Sequence, residues 1–250
     1  MEKIKLMSHL VAGYPTDELA FAAASAMVKG GADILEIQLA FSDPSADGPA
    51  IQKASTEVLS RNYRVRDGIA FIAKLHEAFP HTTIYLMSYG SLVYTPGVEN
   101  FCKAAIEAGV RGMIIPDLPF DCDEGLTLAC KKYGMENIPV ASPSMSAERL
   151  SKMAHAGFEH IYASLRVGIT GTATVIDSDT LAFLKKVRAR GSKVYGGFGI
   201  STGEQSKALA DSVDGVVAGS VFVRLIEKNA ADKKALVEAV EAKARELCGL

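Results

Sequence analysis

The sequence predicts an α/β protein, a closed (β/α)8 TIM barrel of eight parallel strands surrounded by helices. Short β-like runs alternate with amphipathic helical stretches along the chain, the pattern of a parallel sheet covered by helices. The 250 residues match the roughly 250 that such a barrel needs. Because no linker, low-complexity segment or charge block interrupts the chain, we expect residues 1–250 to form a single domain. An open, doubly wound sheet fits the same alternation and stays the alternative.

Eight strands and the helices between them follow in order along the chain. Pro49 fits the first turn of a helix, where its missing N–H is not needed, and Gly109 follows a helix as a C-terminal cap does. The predicted strands cover residues 5–11, 34–39, 84–88, 112–115, 138–142, 160–164, 193–195 and 215–218. The predicted helices cover residues 17–29, 49–61, 67–79, 97–108, 123–133, 146–155, 179–188 and 203–210, with a helical tail at 220–229 and 232–247.

Composition and charge exclude several classes of partner. Lysine and arginine number 27 and aspartate and glutamate 29, for a net charge of −2. Without a basic run, neither a nucleic acid nor an anionic membrane is the expected partner. No apolar stretch approaches the ~20 residues of a membrane span, and the N-terminus has no signal peptide. Because the four cysteines lack paired metal spacing, we expect reduced thiols, a cytoplasmic location and no metal site.

The strand at 34–39 is the most informative. Side chains alternate between the faces of a strand, so Leu35, Ile37 and Leu39 form an outer apolar row. The other row, Ile34, Glu36 and Gln38, then points into the barrel. A buried carboxylate is costly unless it faces a site or a partner, and catalytic groups of such barrels lie at the C-terminal strand ends. Glu36 is therefore a candidate catalytic residue, with a core glutamate paired to a buried base as the alternative.

A second carboxylate follows in the loop FSDPSADGP at residues 41–49. Asp47 fits the N-cap of the helix that begins at Pro49, and it equally fits a catalytic role. One carboxylate on a strand and one on the adjoining loop are what acid–base chemistry on a neutral substrate requires.

Glycine turns near the C-terminus indicate a phosphate site. They occur at residues 168–171, 197–201 and 219–220, after the sixth, seventh and eighth predicted strands. Barrels of this kind commonly hold a phosphate between the last two loops, at a helix N-terminus. Ser220 adds a hydroxyl there. Ordinary strand–helix turns are the alternative, and a nucleotide-hydrolysing P-loop is disfavoured because no GxxxxGK[ST] motif is present.

These motifs together resemble the tryptophan synthase alpha chain family over nearly the whole chain. The motif LEIQ at 35–38 followed by FSDPSADGP carries the resemblance, with further anchors along the chain. They are AGYP at 12–15, Tyr89, PDLP at 116–119, RVGITG at 166–171, GFGIS at 197–201 and AGS at 218–220.

The resemblance implies a lyase that cleaves indole-3-glycerol phosphate to indole and glyceraldehyde 3-phosphate. It implies no cofactor in this chain, and a pyridoxal-phosphate-dependent beta chain as partner in an α2β2 heterotetramer. Glu36 matches the carboxyl group that protonates the indole ring at C3, and Asp47 matches the carboxylate near the indole N–H. The resemblance further implies substrate contacts by Tyr89, Tyr162 and Thr170, and a phosphate site formed by Gly171, Gly197, Phe198, Gly199, Gly219 and Ser220.

Some positions differ from the family pattern. Gln38 and Ala40 stand where many members have glycine and proline, His9 where an aromatic is common, and Ser91 where asparagine is common. The chain also begins close to its first strand, whereas many members begin with a helix over the barrel floor. A non-catalytic subunit that only activates a beta chain is one alternative. Another phosphate-sugar barrel enzyme, such as an isomerase of the same pathway, is the other.

Overall fold

The computed structural model describes residues 3–166, 176–188 and 191–250. Within these ranges nine strands and eleven helices alternate. The strands are β1 Leu6–Val11, β2 Ile34–Gln38, β3 Thr83–Met87, β4 Gly112–Ile114, β5 Glu136–Asn137, β6 Val140–Ala141, β7 His160–Ser164, β8 Lys193–Gly197 and β9 Gly215–Ala218. The helices are α1 Asp17–Lys29, α2 Pro49–Ser60, α3 Val65–Ala78, α4 Gly90–Tyr94, α5 Val98–Glu107, α6 Leu126–Lys132, α7 Ala147–His155, α8 Ser178–Val187, α9 Gly203–Leu209, α10 Ser220–Lys228 and α11 Lys233–Cys248.

All the strands pair in parallel, in the order β5-β4-β3-β2-β1-β9-β8-β7-β6. The two ends of this order are β5 and β6, and only β6 lies within the predicted fifth strand at 138–142, whereas β5 lies just before it. Pro139 stands between them and has no N–H to give to a sheet. Ile138 N–H donates to Met113 O over 2.8 Å, and Tyr162 N–H donates to Pro139 O over 3.0 Å. Residues 138–139 therefore join the two edges, and the predicted closed barrel is confirmed.

The two faces of β2 lie in different parts of the core, as predicted. Leu35, Ile37 and Leu39 pack in the larger cluster between strands and helices. Ile34 packs in a second cluster inside the barrel that includes Met7, Tyr85, Ile138, Tyr195 and Val217. Glu36 and Gln38 share the inward face with Ile34 and are buried.

Two local features differ from the sequence prediction: a short helix lies where no element is predicted, and a predicted turn glycine lies in a strand. Residues 90–94 form the short helix α4, because the Asp117 carboxylate accepts from Gly90 N–H over 2.9 Å at the start of the helix, a contact between distant loops. Strand β8 extends to Gly197, so this glycine lies in the strand and not in the turn after it.

The ends of the chain pack together on the outside of the barrel. Thr16 Oγ1 accepts from Leu19 N–H at the start of α1, and Asp232 accepts from two N–H groups at the start of α11. Gly30 ends α1 tightly against α11, since a Cβ there would lie 2.5 Å from Ala244 Cβ. In the described ranges, no helix has the length and apolar character to span a membrane.

Candidate active site

Glu36 lies on the inward face of β2, next to His9 of β1. The strand register pairs His9 with Glu36, and His9 Nδ1 lies 3.3 Å from Glu36 Oε2. Both side chains are only 5% exposed. The predicted alternative of a core glutamate beside a buried base is thus realised in part, although both groups also line a cavity.

The charge of His9 depends on two opposing effects. Burial lowers the pKa of His9, but the negative charge of Glu36, its hydrogen bond and the charge of Asp47 outweigh burial, so the pKa of His9 is raised. His9 Nε2 is buried and has no hydrogen-bond partner among the described residues. Glu36 and Asp47 therefore favour the protonated form of the imidazole.

Asp47 does not cap the following helix. Gly48 is the N-cap of α2, with no side-chain capping bond. The Asp47 carboxylate instead accepts at Oδ2 from Gln38 Nε2 over 2.6 Å and from Tyr89 Oη over 2.8 Å. Burial raises the pKa of Asp47, while His9 and the two donors lower it, and the net shift is upward. The side chain is thus held in the cavity wall.

The carboxylates line one cavity at the C-terminal ends of the strands. Its empty volume is about 550 Å³, open mouth included. The apolar wall is formed by Ala46, Ile51, Met87, Ile114, Pro116, Val140, Ile200 and Val217, and the rest by His9, Glu36, Asp47, Tyr162, Phe198, Gly199, Gly219 and Ser220. A mostly apolar cavity with a few charged and polar groups is typical of a small-molecule binding site.

Tyr162 closes one side of the cavity. Its ring meets Phe198 edge-on, with centroids 5.9 Å apart. Burial and the charges of Glu36 and Asp47 raise the pKa of Tyr162 well above its usual value. Tyr162 is therefore a neutral phenol that can pack against a ring and donate one hydrogen bond.

Gly199, Gly219 and Ser220 line the cavity where α10 begins. The first N–H groups of a helix have no partner within it and favour anions. Phe198 and Gly199 have φ of 75° and 94°, a left-handed turn that fits glycine and is uncommon for phenylalanine. This is the geometry expected of a phosphate site.

The structure brings together most of the predicted site residues, with some exceptions. Gly197 does not line the cavity. A Cβ at this position would lie 2.1 Å from Tyr162 Oη, so the glycine makes room for Tyr162. Tyr89 lies behind Asp47 as its hydrogen-bond donor. Thr170 and Gly171 lie outside the described residues.

Sequence reasoning did not assign His9 and Gln38 to the site. Gln38 shares the predicted inward row with Glu36, so the alternation of β2 already indicated that it points into the barrel. The contact of Gln38 with Asp47 depends on the loop conformation and carries no sequence signal. The family resemblance indicates for His9 only a departure from a common aromatic that affects the indole pocket, and it gives the residue no role.

A possible metal-binding group lies at the opposite end of the barrel. Among the described residues, ligand atoms of Glu136, Glu159 and His160 lie within 4.8 Å of one another. His160 Nδ1 already lies 2.6 Å from Glu136 Oε2, and Lys193 Nζ lies 3.1 Å from Glu159 Oε1. These contacts give His160 and Glu159 partners within the protein, and the group is remote from the cavity at the strand C-termini.

The fold and the cavity define the class: a (β/α)8-barrel enzyme suited to acid–base chemistry on a small phosphorylated substrate. The family model described as tryptophan synthase alpha chain matches residues 1–249. The tryptophan synthase alpha chains of Helicobacter hepaticus and Methanosarcina acetivorans are 37% and 36% identical to this chain. These alignments cover 90% and 97% of this chain, and 87% and 86% of the two relatives.

Solved structures give the same result. The tryptophan synthase alpha subunit of Legionella pneumophila superposes with a TM-score of 0.88 at 28% identity, over 98% of this chain and 92% of that one. A tryptophan synthase structure from Mycobacterium tuberculosis has a TM-score of 0.85 at 27% identity, with 98% and 92% covered.

This chain belongs to the tryptophan synthase alpha chain family. It is accordingly an alpha subunit and a carbon–carbon lyase that cleaves indole-3-glycerol phosphate to indole and glyceraldehyde 3-phosphate. The alpha chain binds no cofactor of its own, and pyridoxal phosphate belongs to the beta chain that is its partner.

Proposed function

We propose that Glu36 and Asp47 carry out the cleavage with different roles. The observation that carries this proposal is their shared cavity, in which each carboxylate has a different set of neighbours. Glu36 contacts His9 at 3.3 Å, whereas Asp47 accepts two hydrogen bonds at a single oxygen. Two carboxyl groups in different environments can differ in their protonation. The reaction needs this difference, because one group acts as an acid and the other as an anion.

Glu36 is the proton donor. Its carboxyl group transfers a proton to C3 of the indole ring, which makes an indoleninium cation. The C3–C3′ bond then breaks, its electron pair returns to the ring, and the C3′ hydroxyl loses its proton as the aldehyde forms. The proton lost from the hydroxyl replaces the one donated by Glu36, so the reaction is proton-neutral overall.

Asp47 stabilises the cation. Gln38 and Tyr89 occupy Oδ2, and Oδ1 is then the oxygen offered to the indole N–H. An anion fixed in advance in a buried cavity stabilises a developing positive charge strongly, because no water has to reorganise around it. Tyr89 acts through Asp47 and positions it.

The remaining residues bind the substrate. Tyr162 packs against the indole ring, and the turn at Phe198 and Gly199 together with Gly219 and Ser220 receives the phosphate. Gly197 supports that turn from within β8. The family resemblance implies in addition that Thr170 contacts Asp47 and that Gly171 belongs to the phosphate site. Replacing Thr170 with valine should lower turnover and leave stability unchanged.

We further infer a single domain, an α2β2 complex and a cytoplasmic location. The single domain is supported by the pairing of β1 with both β2 and β9, which ties the ends of the chain into one sheet. The cytoplasmic location is supported by the four cysteines, all of which are free thiols, as expected in a reducing compartment. Size-exclusion chromatography with and without a beta chain tests the complex.

The test of the catalytic assignment is Glu36→Gln. Release of indole from indole-3-glycerol phosphate should fall by at least a hundredfold, because general acid catalysis contributes about 10² to 10⁴. Glu136→Gln is the matched control, since Glu136 also pairs with a histidine but at the other end of the barrel. Unchanged indole release by Glu36→Gln would overturn the assignment.

A further inference from the structure

His9 lies in the cavity wall, between Glu36 and the turn proposed to bind the phosphate. On one side His9 Nδ1 lies 3.3 Å from Glu36 Oε2. On the other side, a Cβ built on Gly219 would lie 3.4 Å from His9 Cβ, Cγ and Cδ2. The imidazole therefore lies between the proposed proton donor and the proposed phosphate turn.

One nitrogen of this ring lacks a partner. Nδ1 faces Glu36, but Nε2 is buried without a hydrogen bond among the described residues. A buried polar group without a partner is costly and calls for an explanation, such as a ligand that completes it. His9 lines the cavity, so a bound substrate is in a position to supply the partner.

The hydrogen on Nε2 determines which kind of group can be its partner. The titratable groups acting on His9 are Glu36 and Asp47, both acidic, and together they favour the imidazolium form over the effect of burial. When the proton between His9 Nδ1 and Glu36 Oε2 is on the ring, both nitrogens carry a hydrogen; when it is on the Glu36 carboxyl group, which then donates to Nδ1, Nε2 still carries its own hydrogen. Nε2–H is a donor in either state, and its partner has to be an acceptor such as a hydroxyl oxygen.

We propose that His9 is a specificity-determining residue whose Nε2–H donates to a hydroxyl oxygen of the substrate's three-carbon chain, while Nδ1 is hydrogen-bonded to the Glu36 carboxyl group. This proposal rests on the proposed function of the site. If the indole ring lies at Glu36 and the phosphate at Gly219, the hydroxylated chain that joins them runs past His9. An aromatic residue at this position could pack against the chain but could not donate to it.

Comparison of two ligands provides the test. Indole-3-glycerol phosphate carries the hydroxyls, and indole-3-propyl phosphate is the same skeleton without them. His9→Phe should raise the KM for the first about tenfold or more, the usual size of a hydrogen bond to a charged group. It should change the dissociation constant of the propyl compound, measured by calorimetry, less than twofold.

Replacement of His9 by glutamine or by asparagine tests the two ring nitrogens one at a time. A glutamine amide reaches the position of Nε2, and an asparagine amide reaches that of Nδ1. We expect His9→Gln to retain a KM near that of the wild type and His9→Asn to raise it as His9→Phe does. This comparison keeps the test decisive even if the phenylalanine variant fails to fold.

The outcomes distinguish the two proposals. Equal weakening of both ligands, or no change in KM for any His9 variant, would overturn the role of His9 and leave Glu36 untouched. If the wild type releases indole and Glu36→Gln does not, the proposed function is supported, independently of the results with the His9 variants. If Glu36→Gln retains activity, the assignment of Glu36 as the proton donor is wrong, and this conclusion does not depend on the His9 variants.

Discussion

Gln38 Nε2 donates to Asp47 Oδ2 over 2.6 Å inside the cavity wall. The contact joins the last residue of β2 to the loop that follows it, and it places an amide where many family members have glycine. Because Glu36 lies two residues earlier on the same face of β2, one strand carries the proposed acid and also fixes the proposed anion. The position of Asp47 relative to Glu36 is thereby set by the rigid sheet.

Gln38→Met should shift the pH dependence of the reaction. The Gln38 hydrogen bond lowers the pKa of Asp47, and methionine fills a similar volume without a donor, so the substitution raises that pKa. Asp47 is proposed to act as an anion, and activity is lost as pH falls through its pKa. The acidic limb of the kcat/KM profile should therefore move to higher pH.

Gln52→Met is the matched control for Gln38→Met. Gln52 Nε2 donates to the backbone oxygen of Asp47 over 2.8 Å, so it touches the same residue without touching the carboxylate. Its profile should keep the wild-type acidic limb. An unshifted limb in Gln38→Met would show that Gln38 does not tune Asp47.

Tyr89→Phe should lower kcat/KM about tenfold, because it removes one of two hydrogen bonds to a charged group. The ring itself should stay in place, since it stacks on Phe41 with centroids 5.1 Å apart. Steady-state kinetics measure the effect, and thermal unfolding checks the fold. Tyr85→Phe, inside the barrel but away from Asp47, should retain wild-type kcat/KM, and equal losses in both variants would argue against a specific role for Tyr89.

The sequence predicted most of this architecture but only part of the site. Alternation along β2 was sufficient to place Glu36 inside the barrel, because period-two patterning is a local property. The neighbour of Glu36 depends on the register between β1 and β2, which one sequence does not specify, and the pairing with His9 was missed.

The sequence alone leaves open whether Asp47 caps the helix that begins at Pro49, because its position fits an N-cap. In the structure the Asp47 carboxylate accepts hydrogen bonds from Gln38 and Tyr89 instead. Contacts between separate segments of this kind have no local sequence signal.

Gly197→Ala should destabilise the protein by about 1 to 3 kcal/mol, the usual cost of overpacking a core. The added Cβ would lie 2.1 Å from Tyr162 Oη and 2.6 Å from its Cζ, so strand or ring has to move. Urea unfolding measures the change. Gly219→Ala is the control, because its nearest contact is an ordinary 3.4 Å to His9. Equal stability of the two variants would show that β8 accommodates the added methyl group without a loss of stability.

His9 should make stability depend on pH in a defined direction. Its pKa is raised above 6.5 in the folded protein, so the folded state holds the proton more tightly than the unfolded chain. The stabilisation is complete below pH 6.5 and is lost as pH rises through the folded-state pKa. The difference in unfolding free energy between wild type and His9→Phe should therefore shrink with rising pH.

Urea denaturation at a series of pH values from 6 to 9 measures that difference. Both proteins retain Glu36 and Asp47, so the difference reports the interaction of the imidazole with these two groups. His81→Gln, which replaces an exposed histidine, is the control for the loss of one imidazole elsewhere in the chain. A constant or growing difference for His9→Phe would contradict the stabilisation of protonated His9 by Glu36 and Asp47.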